Sequence, residues 1–139
     1  MKTVLFALML ALVAADSMDH SNGKDILKDL QGNNNEVYVI LFHGGEKDQA
    51  VKMKTEEYLQ ALQSVKNKYP EFTYSTVDAT DKDYDDLIDA ISLIRSELSE
   101  SPSILIMHKG NGEWIHGPQT ISKIMEFAPA YKSRMDSKN

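Results

Sequence analysis

The chain has 139 residues and no cysteine. That excludes disulfides and any reaction in which a thiolate attacks a disulfide. Small secreted domains often depend on disulfides, so the stability of this one must come from its core or from a partner. Basic residues are also scarce: 15 Lys and Arg stand against 21 Asp and Glu, a net charge of −6. An acidic surface disfavours phosphate backbones and anionic lipid, which argues against nucleic acid as a partner. No Asn-x-Ser/Thr sequon occurs, so N-glycosylation is not expected. No serine lies in Gly-x-Ser-x-Gly, and Gly44-Gly45 lacks the Lys-Ser/Thr that completes a phosphate loop. No cofactor and no small-molecule substrate is implied.

What is present is ordinary for one globular domain. Apolar residues make up 42 % and charged residues 26 %, enough for a core without disorder. Met1-Lys2 is a short basic start, followed by an uncharged apolar run over residues 4–15 and small residues at Val13-Ala14-Ala15. This is the three-part pattern of a secretory signal peptide. The run falls short of the roughly 20 residues needed to span a bilayer. Cleavage after Ala15 predicts entry into the secretory pathway, to the ER lumen or outside the cell. Removing Lys2 would leave 14 basic against 21 acidic residues, −7. If the run is kept, the chain reads as an anchored accessory subunit of a membrane-associated complex, such as one in an organelle inner membrane or intermembrane space. Membrane contact would then be confined to residues 1–15.

Residues 16–23 are polar and expected to be flexible, and 24–30 place Ile26, Leu27 and Leu30 at helical spacing. Residues 37–42 (VYVILF) form a continuous apolar run, read as a buried central strand. A long amphipathic helix is expected over 48–68, with Val51, Tyr58, Leu59, Leu62 and Val65 on one stripe and Met53 also assigned to the core. Residues 72–77 read as a parallel strand. The next helix is expected to run from the acidic stretch 78–86 to Ser99, its apolar face formed by Leu87, Ile88, Ile91, Ile94 and Leu98. Strands over 103–107 and 113–116 flank a turn at 109–112, and a last helix covers about 120–131 before a polar tail at 132–139.

This order, βαβ, then α, then a ββ hairpin, then α, resembles a thioredoxin-like domain over residues 24–131. Residues 37–42 resemble the strand that feeds the family's active-site loop. Ser101-Pro102-Ser103 resembles the start of its Pro-Thr strand, whose proline is cis. Val77-Asp78 resembles the strand end before its third helix, residues 108–113 its hairpin turn, and Gly117 the glycine after its last strand. The resemblance implies an α/β three-layer sandwich with a mixed four-stranded sheet flanked by helices. It also implies a Cys-x-x-Cys pair near residues 46–50, where the sequence reads Glu46-Lys47-Asp48-Gln49-Ala50. The family's buried carboxylate is missing from the central strand too. Losing both together points to a redox-inactive domain kept for its surface. It is expected to hold a protein or peptide through His43, Gly44, Gly45, Glu46, Ser101, Pro102 and Gly117.

Other chemistry has weaker support in the residues. His43 with Glu46 and Asp48 has the donors for a metal or for acid–base work, but the plainer reading is a histidine bonded to loop backbone. His108 and His116 flank the hairpin and are read as a solvated pair facing across it, not as metal ligands. The acidic stretch 78–89 lacks the central Gly and terminal Glu of an EF-hand and reads as a dipole-matched helix start. Trp114 is expected to pack on the sheet or mark a contact patch. No metal is implied.

Overall fold

The computed structural model describes residues 16–17 and 20–137. The apolar run 4–15 lies outside them. Among the described residues, no helix is long and apolar enough to cross a membrane.

In chain order the elements are β1 (Asp16–Ser17), α1 (Gly23–Gln31), β2 (Val37–His43), α2 (Gln49–Lys68) and β3 (Thr73–Asp78). A 3-10 turn (Lys82–Tyr84), α3 (Asp85–Ala90) and a second 3-10 turn (Arg95–Ser99) follow. Then come β4 (Ser103–His108), β5 (Asn111–His116) and α4 (Thr120–Asp136). The sheet order is β1-β3-β2-β4-β5. β3 runs parallel to β2, whereas β4 and β5 are antiparallel to their neighbours, so the sheet is mixed. The four expected strands are joined by β1, a two-residue parallel rung on Thr73 and Tyr74.

β2 explains the three layers. Successive strand residues point to opposite faces. Val37, Val39 and Leu41 therefore meet Leu62, Val65, Ile124 and Tyr131 from α2 and α4. Tyr38, Ile40 and Phe42 meet Ile26, Leu30, Leu87 and Ile88 from α1 and α3. All six strand residues are buried, and each fully buried apolar side chain contributes about 1.5–3 kcal/mol. A strand buried on both faces has to be apolar throughout, which is why VYVILF carries no alternation. On the α2 side, Tyr131 is buried with its hydroxyl donating to Glu113 Oε2 at 2.5 Å. Burial, then Glu113, pushes its pKa up to about 12.

Five expectations are corrected. The helix expected to reach Ser99 stops at Ala90. Ser92 takes the left-handed conformation (φ 57°), and Ile94 is 57 % exposed. The stop is a Schellman cap: Leu93 N–H donates to Ile88 O (3.1 Å) and Ser92 N–H to Asp89 O (3.2 Å). Met53 is 60 % exposed, alone on the Lys- and Glu-rich face of α2. The hairpin turn is only Lys109-Gly110, both at positive φ, so β5 begins at Asn111. His108 and His116 then sit at opposite ends of the hairpin, paired with Asn111 and Ser103 respectively. The last helix also continues past Tyr131 to Asp136, taking in much of the tail.

Candidate functional site

The register brings most of the expected surface to one end of the sheet. Phe42 pairs with Ser103, and Ser103 with His116. One step outward, His43 ends β2, Pro102 immediately precedes β4 and Gly117 immediately follows β5, at the same end of three adjacent strands. His43 also pairs with Asp78 of β3. Gly44, Gly45 and Glu46 continue from His43 into the loop before α2, and Ser101 leads into β4.

His43 is half-buried at the end of β2. Its backbone carbonyl accepts from Ala79 N–H at 2.9 Å. Its Nδ1 accepts from Gly45 N–H at 3.1 Å. That bond fixes the tautomer: Nδ1 is bare and Nε2 carries the proton. Burial lowers the His43 pKa, while Asp78 and Glu46 partly oppose the shift. The ring is thus a neutral acceptor that braces its own loop. Gly45 sits at φ +88°, where a Cβ would come within 2.9 Å of Thr80 Oγ1, so glycine is needed there.

Asp48 caps α2. Its Oδ1 accepts from Ala50 N–H (2.9 Å) and Val51 N–H (3.3 Å). A helix N-terminus of this kind would lower the pKa of a cysteine placed there. Here a carboxylate occupies those donors. Among the described residues, no three His, Asp or Glu side chains are placed to share a metal ion.

Two expectations about this surface change. The Ser101–Pro102 peptide is trans, since no cis bond occurs among the described residues. Trans is the lower-energy isomer of an X–Pro bond by about 0.5–1 kcal/mol, and the chain enters β4 from the 3-10 turn in that form. Pro102 and Ser101 are also buried, so less of this edge is open than the sequence suggests. The Gly117 carbonyl is taken as well, accepting from Tyr58 OH (2.8 Å) and Thr120 Oγ1 (2.6 Å).

Ser103 Oγ lies 2.7 Å from His116 Nδ1. This is nucleophile-to-base spacing, yet Ser103 is only 1 % exposed and no carboxylate bonds the ring among the described residues. The pair closes the open end of the hairpin. Beside it, Trp114 is 37 % exposed, its ring centroid 5.3 Å from that of Phe42 and its Nε1–H donating to Ile91 O at 3.2 Å. Packing on the sheet and partial exposure are both present in this one residue.

The sequence did not reveal a groove of about 460 Å³ on the β3 side of the same loop. Val51, Ala79 and Leu98 give it an apolar floor, with Lys82, Asp85 and Arg95 at the rim. Arg95 holds its place by bonding Asp85 Oδ1 (2.6 Å) and Ala79 O (3.2 Å). The groove exists because the chain turns at Ser92 and returns Leu98 to the sheet, which helical spacing alone does not forecast.

Comparison with solved structures decides the fold. Fasciola hepatica thioredoxin matches with a TM-score of 0.60 at 13 % identity, covering 84 % of this chain and 98 % of that one. Thioredoxin from Trypanosoma brucei brucei matches at 0.61 and 9 % identity, covering 85 % and 91 %. The fold is thioredoxin-like. Oxidised thioredoxin O2 from Arabidopsis thaliana gives a similar result, 0.61 at 14 % identity, covering 84 % and 96 %. No family model and no curated protein matches the sequence. At these identities the likeness concerns the thioredoxin-like backbone. Cysteine, on which thiol chemistry depends, is absent from the sequence.

Proposed function

We propose that this chain is a redox-inactive, non-catalytic thioredoxin-like module that holds a protein or peptide at the end of the sheet where His43, Pro102 and Gly117 meet. The observation that carries the reading is the state of α2's N-terminus. The N–H groups that would stabilise a thiolate are taken by the Asp48 carboxylate, in a chain without a sulfur nucleophile. What persists is the loop itself, braced by the Gly45 bond to His43 and ending in exposed Glu46 and Lys47. A braced, exposed loop beside strand ends suits recognition of a partner segment.

The test places a photo-crosslinking residue at position 46 and, as a control, at exposed Gln60 on α2. Protein adducts from the native source are expected at 46 and not at 60. Adducts at neither position, or equally at both, would overturn the reading. The proposed secretory entry rests on residues 1–15 and is tested by mass spectrometry of the mature protein. A start at Asp16 supports it, while an intact Met1 moves the proposal to the anchored accessory subunit.

A further inference from the structure

We infer that β5 pairs antiparallel with the β5 of a second copy of this chain, joining two sheets into one across a two-fold axis at Trp114. The inference goes beyond the binding-module reading and uses a different part of the sheet, its long edge.

The first ground is the backbone. β5 is the outermost strand on its side. The two-residue turn Lys109-Gly110 makes His108 and Asn111 a hydrogen-bonded pair. Bonded and non-bonded pairs alternate along an antiparallel ladder. Glu113 and Ile115 therefore bond to β4, and Gly112, Trp114 and His116 turn their N–H and C=O groups outward. No strand among the described residues lies beyond them. Soluble proteins guard such an edge with Lys, Pro or a bulge. Asn111–His116 has neither Lys nor Pro, and its register with β4 is unbroken. Its one charge, Glu113, accepts from Tyr131 OH. The opposite edge differs, since β1 covers Thr73 and Tyr74 of β3.

The second ground is self-complementarity. The three outward residues are evenly spaced about Trp114. An inverted copy aligned there sets Trp114 against Trp114 and Gly112 against His116 twice over. Each of these pairs exchanges two bonds, so every outward group finds a partner. Charge agrees with the match. Residues 101–119 hold one Lys and one Glu, 1 − 1 = 0. The acidic stretch 78–89 follows β3, which is separated from β5 by β2 and β4. Two copies of a chain of charge −6 can thus meet at a neutral edge. Apolar surface agrees too. Ile94 and Trp114 are two of the three large apolar side chains exposed among the described residues, and both line a hollow of about 200 Å³ beside β5. An axis at Trp114 places the two indoles as a cross-strand pair, a stabilising contact for aromatic rings.

The test follows the full chain from micromolar to millimolar concentration by sedimentation and by amide hydrogen exchange. The mass is expected to double. Exchange at Gly112, Trp114 and His116 should slow as the dimer forms, while Glu113 and Ile115, already bonded to β4, change little. Two variants make the same chemical change, Ile94→Lys beside β5 and Met53→Lys on α2. Both side chains are exposed, so neither change threatens the fold. I94K should raise the dimer's Kd about tenfold and M53K by less than about twofold, since one interface side chain is of that order and the two-fold carries it twice. A chain that stays monomeric at millimolar concentration would overturn the inference. So would equal weakening by the two variants, or a dimer whose protected amides lie outside residues 112–116. A monomer whose edge amides slow only when an alternating Thr–Val peptide is added would give the edge to a foreign strand, and would overturn the second copy as its occupant.

Discussion

Two stretches of this chain carry apolar residues at helical spacing, and only one is a continuous helix. α2 runs unbroken for 20 residues from the Asp48 cap to Tyr69. The stretch from Lys82 to Ser99 breaks into a 3-10 turn, a six-residue helix and another 3-10 turn. In α2, Thr55, Tyr58, Leu62 and Val65 all find buried places along one face. In the second stretch Leu87 and Ile88 bury against α1, but a straight continuation would carry Leu98 away from the sheet. Turning at Ser92 returns Leu98 to the core and leaves the Ile91 carbonyl for the Trp114 indole. Packing thus overrides local propensity where the two conflict, and the detour builds the groove wall.

The largest effects should come from the core residue that each stretch contributes. Leu62 and Leu98 are both 2 % exposed. Leu62→Ala should cost about 3–4 kcal/mol, because α2 is anchored along its length and cannot collapse into the cavity. Leu98→Ala should cost about 2 kcal/mol, because a short turn relaxes more easily. Urea denaturation of both variants tests this. Equal losses would show that the broken stretch is held as rigidly as the helix.

Helix caps sharpen the same contrast. Asp48→Ala removes the acceptor for two N–H groups of a long helix and should cost about 1 kcal/mol. Asp81→Ala removes the acceptor of Asp83 N–H in a three-residue turn and should cost less than about 0.5 kcal/mol. A larger loss for Asp81, measured in the same denaturation series, would overturn the view that cap strength scales here with the helix it starts.

Ser92 is where the stretch departs from a helix, and its substitution should stabilise. An L-residue in the left-handed region pays roughly 1–2 kcal/mol, and glycine gives part of that back in chain entropy. Ser92→Gly should therefore raise stability by about 0.5–1 kcal/mol, seen as a higher Tm. An unchanged or lower Tm would mean that the Schellman bonds do not set the break.

The same residue shows where sequence reasoning stops. Strands, α2 and the sheet order were legible because they rest on strong local signals: a doubly buried apolar run, a capped amphipathic period and a Lys-Gly turn. The break at Ser92 was not, because a glycine or asparagine usually marks such a cap and here a serine does it. The spacing of residues 87, 88, 91, 94 and 98 satisfies a helix equally well. At the site, the meeting of His43, Pro102 and Gly117 was legible through the order of strands. The isomer at Pro102, the closure of its edge and the groove beyond the loop were not, since tertiary packing decides all three.

The smallest predicted effect concerns the loop rather than either stretch. In the folded chain His43 Nδ1 accepts Gly45 N–H, and burial lowers the ring's pKa below its usual value near 6.5. Above that value the ring is neutral in both folded and unfolded chains, so its contribution is fully present. As pH falls below about 6.5 the unfolded chain takes the proton first, and stability declines until the folded ring also titrates. His108, likewise lowered by burial and by Lys109 and Arg134, acts in the same direction and must be separated. His43→Asn should therefore flatten the slope of stability between pH 7 and about 5, and His108→Gln should flatten what remains. If H43N keeps the full wild-type slope while H108Q abolishes it, the loop is not braced through a neutral His43.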